Sequence, residues 1–245
     1  MSPPNEALTL LDRAEQSNGE SGAPPPATNR SRAKRGLPDY EVLTYAHVVE
    51  LSNTPRILET TPNDLDTIVD ILADAFAEDP VMKWVTPKLS YRRYAFELTV
   101  PACLPHGLTY VAEDGTGAAS WLPPGEPLDS PVSPGVIWKG LTEYGPGSLL
   151  RGLATLLQTQ KRHPEEPHYY LFTIGTRRSA RGRGVGGALM RAVLDKCDAE
   201  RMPAYLESSN IANLPFYRRH GFEVVDELKL VMGGQTLWLM SRHAR

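Results

Sequence analysis

The chain has 245 residues, 41% hydrophobic and 22% charged, enough to bury a sizeable core and unlike a collagen-like, wholly disordered or disulfide-scaffold protein. Lys and Arg total 26 against 29 Asp and Glu, a formal charge of -3, which argues against a protein whose main task is gripping nucleic acid or anionic lipid. Two cysteines, Cys103 and Cys197, make neither a metal-ligand cluster nor a disulfide framework, the start MSPPNEALTL lacks the build of a secretory signal, and no apolar run approaches about eighteen residues, so a soluble, cytoplasmic protein without metal is expected.

Residues 1–54 mix Ser, Asn, Glu and Gly around Pro24-Pro25-Pro26 without a sustained period, as in a segment that cannot offset its ordering entropy, and a largely disordered extension is expected. Arg30, Arg32, Lys34 and Arg35 read as part of a solvated tail, with a nuclear address or phosphate-contacting arm as the alternative. Tyr40 to Leu51 is apolar enough for a short helix or strand. From 55 to 245 the punctuation is that of one folded domain. Arg56 to Glu59 reads as a strand, and Pro62-Asn63-Asp64 supplies helix-start chemistry. Leu65, Ile68, Val69, Leu72, Ala75 and Phe76 recur at helical spacing, predicting a helix to about Glu78 that Pro80 stops. Tyr91 to Leu104 reads as a second helix, and Leu108 to Ala112 with Gly117 to Leu122 as a hairpin turning at Asp114-Gly115.

A stretch rich in Gly and Pro, about 125–167, is expected to be an insert with helices around Val136 to Tyr144 and Leu149 to Arg162. It would cover a pocket, with Trp121, Trp138 and Tyr144 lining the cover or simply packing. Then come a strand over His168 to Ile174, a helix over Val185 to Arg201, a strand over Ala204 to Glu207 and a short helix over Leu214 to His220. Two final strands, Glu223 to Val231 and Thr236 to Met240, join at Gly233-Gly234. Strands alternating with helices predict a mixed α/β fold with at least one parallel βαβ unit.

Arg181-Gly182-Arg183-Gly184-Val185-Gly186-Gly187 falls between an apolar strand and a helix, where bare backbone N–H groups and the positive end of the helix dipole can hold phosphate. Arg177, Arg178, Arg181 and Arg183 concentrate positive charge there in an otherwise acidic chain. Gly182, Gly184 and Gly187 satisfy G-x-G-x-x-G, with Glu207 about twenty residues on, so a dinucleotide oxidoreductase is an alternative. Against it, seven residues, Gly175 to Arg181, separate strand from first glycine, and too little chain follows for a doubly wound sheet.

Ile174-Gly175-Thr176 followed by Arg181-x-x-Gly184-x-Gly186 resembles the acyl-CoA signature of the GCN5-related N-acetyltransferases (GNAT), and Asn213-Leu214-Pro215-Phe216-Tyr217 with His220-Gly221-Phe222 resembles that family's N-x-x-x-Y-x-x-x-G-F element. Ala75 to Pro80, Trp121 to Gly125, and Tyr205 to Ser209 followed by Leu214 to Tyr217 are similar to the puromycin N-acetyltransferase-like branch. Two positions depart from these patterns: Arg178 stands where the family usually has proline, and Asp79 where the puromycin-modifying enzyme has tyrosine, so a different acceptor pocket is expected.

The resemblance implies a mostly antiparallel sheet with a splayed parallel pair, the strands ending at Ile174 and running through Leu206, into which the pantetheine of acetyl-CoA inserts. It further implies that Ile174, Gly175, Thr176, Arg181, Gly182, Arg183, Gly184, Val185, Gly186, Gly187 and Asn213 bind this cosubstrate, that a strand amide near Ile174 polarises the thioester, and that Tyr217 is the general acid. Glu207, on one strand face with Tyr205, is the candidate base, directly or through water; pairing with an arginine or capping the next turn is its structural alternative. Glu78 and Asp79 are candidates to attract a cationic amine, His168 and His220 read as structural, and Cys103 and Cys197 as buried spectators. The expected activity is direct acetyl transfer to a primary amine of a small molecule, such as an antibiotic or related metabolite. A non-catalytic acyl-CoA-binding module and a protein or peptide amine acetyltransferase are the alternatives.

Overall fold

The computed structural model describes residues 55–127 and 133–245; the expectations for residues 1–54 lie outside them. Seven strands among the described residues form one sheet, β1 (Ile57–Glu59), β2 (Thr109–Ala112), β3 (Gly117–Leu122), β4 (Tyr169–Thr176), β5 (Ala204–Ser208), β6 (Glu223–Lys229) and β7 (Thr236–Arg242), in the order β1-β2-β3-β4-β5-β7-β6. Every neighbouring pair is antiparallel except β4 and β5, the mixed architecture that the alternation of elements predicts.

The first helix, α1 (Leu65–Ala75), buries Ile68, Val69, Ile71 and Leu72 completely, as its spacing requires. Pro80 does not act as a stop. It opens a new helix, α2 (Pro80–Val85), because Asp79 caps it, Oδ1 accepting from the Met82 N–H at 2.8 Å, and a proline in the first turn needs no hydrogen-bond partner. Arg92, in α3 (Ser90–Cys103), is buried and donates to the Thr86 and Lys88 carbonyls at 2.8 Å, closing the end of α2 against α3.

Strand β3 is buried along its whole length because helices cover both faces. Ala118 packs with α1 and α3, whereas Ala119 and Trp121 pack beneath α6 (Val185–Ala199), which fills the opposite face with Leu189, Met190 and Val193. Its small residues permit this close approach: a Cβ on Gly117 would lie 2.5 Å from Val185 Cγ1. A third cluster joins Leu228, Leu237 and Leu239 to Tyr205, with Trp84 of α2 against it.

Across β3 and β4, Ser120 opposes Thr173 and Trp121 opposes Leu171, so Phe172 is an extra residue on β4. The bulge changes which side chains face which helix. Tyr169 and Leu171 belong to the α6 side before it; after it Ile174 does, and Gly175 turns toward Ala75. Parallel pairing of β4 with β5 consists of Tyr169 with Ala204 and Tyr170 with Tyr205. Beyond these pairs β4 continues to Thr176 and β5 to Ser208 without facing one another, which opens the expected wedge.

The region expected as an insert contains α4 (Pro134–Lys139), a π-helical turn (Gly140–Tyr144) and α5 (Pro146–Gln160). It leans on α2, α3 and the β6–β7 turn: Tyr144 stacks on Tyr94, Arg151 Nη1 reaches the Val85 carbonyl at 3.3 Å, and Gln158 Oε1 accepts from the Val231 N–H at 3.1 Å. Gly117→Ala is expected to lower stability by about 1–3 kcal/mol, since its methyl group must displace the stiff Val185 side chain; the urea unfolding midpoint measures this.

Candidate active site

The wedge opens into a cavity of about 820 Å³ lined by Ile174 to Thr176, every residue from Arg181 to Gly187, Asn213 and Tyr217. All of the proposed cosubstrate-binding residues and the candidate acid therefore share one space. Glu207 is not among its lining residues, and neither is any described residue of the 125–167 insert. Trp121 is fully buried beneath α6, Trp138 is 70% exposed and Tyr144 packs on Tyr91 and Tyr94, so these aromatics do not line this cavity.

The loop is shaped by Gly182 and Gly184, at φ 81° and 83°, a region that side chains with a Cβ disfavour. Gly184 leads into α6, whose first turn has no side-chain cap. Its N–H groups thus remain as donors beside the positive end of a fifteen-residue helix. A Cβ on Gly186 would meet the Phe216 ring at 3.3 Å, so the floor of the cradle is close to this aromatic.

Three of the four loop arginines hold the loop itself. Arg177 Nε donates to the Gly115 carbonyl at 3.0 Å, the Arg178 N–H to Asp74 Oδ2 at 3.0 Å, and Arg181 Nη2 to the Ala75 carbonyl at 3.1 Å. The Arg183 N–H donates within the loop, to the Ala180 carbonyl at 3.4 Å. The bonds of Arg177 and Arg178 pin the start of the loop, where a proline would otherwise stiffen it. Arg191 and Arg219, which motif reading did not select, also line the cavity; only folding of α6 and α7 (Leu214–Arg219) brings them to the loop.

Asn213 closes a 3-10 turn (Ile211–Asn213) that the Asn210 side chain caps, accepting from the Ala212 N–H at 3.0 Å, and α7 follows directly. Tyr217 is 8% exposed, edge-on to Phe216 and Phe222. Burial raises its phenol pKa well above the ordinary value, and the Asp79 carboxylate adds to the shift. Asp79 reaches this neighbourhood because its Oδ2 accepts from Ser209 Oγ while its Oδ1 caps α2. Glu78 also lines the cavity; hydrogen bonding and ion pairing with Lys83 hold its carboxyl below the usual range.

Glu207 lies just past the last β4–β5 pair, on the strand face of Tyr205 and away from the Leu206 side that joins the α6 core. Its Oε2 accepts from the Tyr170 hydroxyl at 2.7 Å, and its Oε1 lies 3.6 Å from His163 Nδ1. The side chain is 8% exposed, with no arginine among its partners in the described residues. His163 went unnoticed in the sequence because it belongs to the insert, far along the chain from Glu207.

Residues 141–222 match the family model of the acetyltransferase (GNAT) family, a span that contains both the loop and Tyr217. An uncharacterized N-acetyltransferase of Schizosaccharomyces pombe is 26% identical over 181 residues, covering 68% of this chain and 73% of that protein. A Corynebacterium glutamicum structure described as histone acetyltransferase HPA2 and related acetyltransferase shares 26% identity and aligns with a TM-score of 0.59, over 78% of this chain and 97% of that one. The polyamine N-acetyltransferase of Drosophila melanogaster shares the fold, with a TM-score of 0.53 at 15% identity over 77% and 99% of the two chains. The sheet with its single parallel pair is thus similar to the fold of these acetyltransferases.

Cys103 and Cys197 are free and buried, and burial pushes each thiol up to about 12. Neither should react with a thiol reagent at pH 8 in the folded protein, since the thiolate is the reacting form. Both should react after denaturation; rapid labelling of either native thiol would contradict this burial.

Proposed function

We propose that the chain is an acetyl-CoA-dependent N-acetyltransferase that moves the acetyl group directly onto a primary amine of a small molecule. One observation carries the reading: the uncapped glycine loop, the unpaired edge of β4 and the buried Tyr217 phenol share one cavity. The donor set fits the cosubstrate. N–H groups from Arg181 to Gly187 suit a diphosphate, and the free edge of β4 suits the amide-bearing pantetheine arm, which can pair with it as a strand would. A β4 N–H near Ile174 would stabilise the oxyanion that forms as the amine attacks the thioester carbon.

Tyr217 donates its proton to the departing thiolate. Its raised pKa keeps the phenol protonated throughout the neutral range, so the acid form is present when it is needed. Asn213 steadies the pantetheine from the same side. Glu207, on the opposite strand face, takes the proton of the attacking amine through water. Asp79 and Glu78 at the cavity favour a cationic acceptor, and the segments similar to the puromycin N-acetyltransferase branch support a small-molecule amine, an antibiotic or related metabolite. The two free, buried cysteines support direct transfer without an acetyl-thiol intermediate, and they agree with a cytoplasmic setting.

Tyr217→Phe preserves the ring packing and removes the acid. Turnover, followed as CoA thiol released with an amine library, should fall about 10²- to 10⁴-fold, or roughly 3–5 kcal/mol of barrier, while acetyl-CoA affinity stays nearly unchanged. Unchanged turnover would exclude Tyr217 as the acid, and no thiol release from the wild type with any amine would overturn the proposed activity.

A further inference from the structure

Gly187 and Arg191 lie one turn apart on α6, while Arg219 ends α7 and His220 follows it. The two helices meet at Gly187, where a Cβ would lie 3.7 Å from His220 Nε2 and 3.8 Å from Arg191 Nη1. Together with Arg183 of the loop, Arg191, Arg219 and His220 line the cavity. They form a cationic wall beside the glycine cradle.

Protein carboxylates do not neutralise this wall. Asp198, on α6, is already occupied, with Oδ2 accepting from Arg242 Nη2 at 2.7 Å and Oδ1 from the Arg245 N–H at 2.8 Å. Among the described residues neither Arg191 nor Arg219 forms a salt bridge. Their field reaches His220: burial lowers the imidazole pKa most, and Arg191 and then Arg219 lower it further. The ring is therefore uncharged near neutral pH, and the guanidinium groups supply the positive charge.

A diphosphate alone does not account for these two cations. When esterified at both ends it carries a single charge on each phosphate, which the uncapped N–H groups and the helix dipole already suit. A phosphomonoester carries about -1.5 to -2 charge near pH 7 and three acceptor oxygens, for which guanidinium forks are matching donors. We propose, building on the acetyltransferase reading, that Arg191 and Arg219 recognise a phosphomonoester of the cosubstrate, the 3′-phosphate that CoA carries on the ribose beside its diphosphate. They bind and take no part in the chemistry. Their effect is selection of the acyl donor, favouring thioesters of CoA over those of a pantetheine without this phosphate. Since α6 also begins at the cradle and α7 carries Tyr217, a phosphate held here ties the cosubstrate to both helices.

Calorimetric titration of the full chain with CoA and with 3′-dephospho-CoA tests this. The wild type should bind CoA about ten- to thirtyfold more tightly than the dephospho form. The double variant Arg191→Gln/Arg219→Gln should lose that preference, with its affinity for 3′-dephospho-CoA within about threefold of the wild-type value. Arg218→Gln removes the same charge from an exposed position outside the cavity lining. It should leave both affinities within about twofold. Equal binding of the two ligands by the wild type overturns the phosphate assignment even where acetyl-CoA is turned over. A loss of CoA affinity in Arg218→Gln as large as in the double variant also overturns it, because net charge would then be the cause. If the wild type binds neither ligand, the acetyl-CoA reading falls and this assignment falls with it.

Discussion

Two residue pairs hold β4 to β5, and the candidate site depends on their pairing no further. A sheet edge left unpaired is ordinarily a liability, because its N–H and C=O groups seek another strand. Here the unpaired edge faces a cavity lined by Ala75 and Phe76 at the end of α1 on one side and by residues of α6 and α7 on the other. The Phe172 bulge contributes by changing the alternation midway along β4. Ile174 can then support the α6 core while Gly175 lets α1 approach closely.

The glycine loop is built with a division of labour between backbone and side chains. Its backbone is left uncapped and bent through the left-handed region, which costs stability but presents N–H groups in one direction. Its arginines mostly look away from that concavity and bind carbonyls and a carboxylate of neighbouring elements. A loop so tethered arrives already ordered, which reduces the entropy lost when an anion is held.

The candidate acid and base come from opposite faces of the sheet. Tyr217 sits in the apolar cluster beneath α6, where burial keeps it protonated. Glu207 faces a polar cluster of Tyr170, His163 and His168, in which each hydrogen bond constrains the next. In the proposed reaction, this separation would put the proton donor and the proton acceptor on different sides of the wedge, so the two need not neutralise one another. The insert contributes His163 to this arrangement while remaining outside the main cavity.

The sequence by itself determined what short-range chemistry controls. Helical spacing from Leu65, the Asp114-Gly115 hairpin, the glycines between strand and helix, and the four-residue step from Asn213 to Tyr217 each act within one or two turns of chain and each appears, although the first helix ends at Ala75 and not near Glu78. Tertiary structure alone decided where strand pairing stops, why Pro80 starts a helix instead of ending one, which loop arginines are spent as tethers, and that a histidine of the insert lies against Glu207. Those outcomes depend on contacts between segments far apart in the chain, where register and packing, and no local period, select the partner.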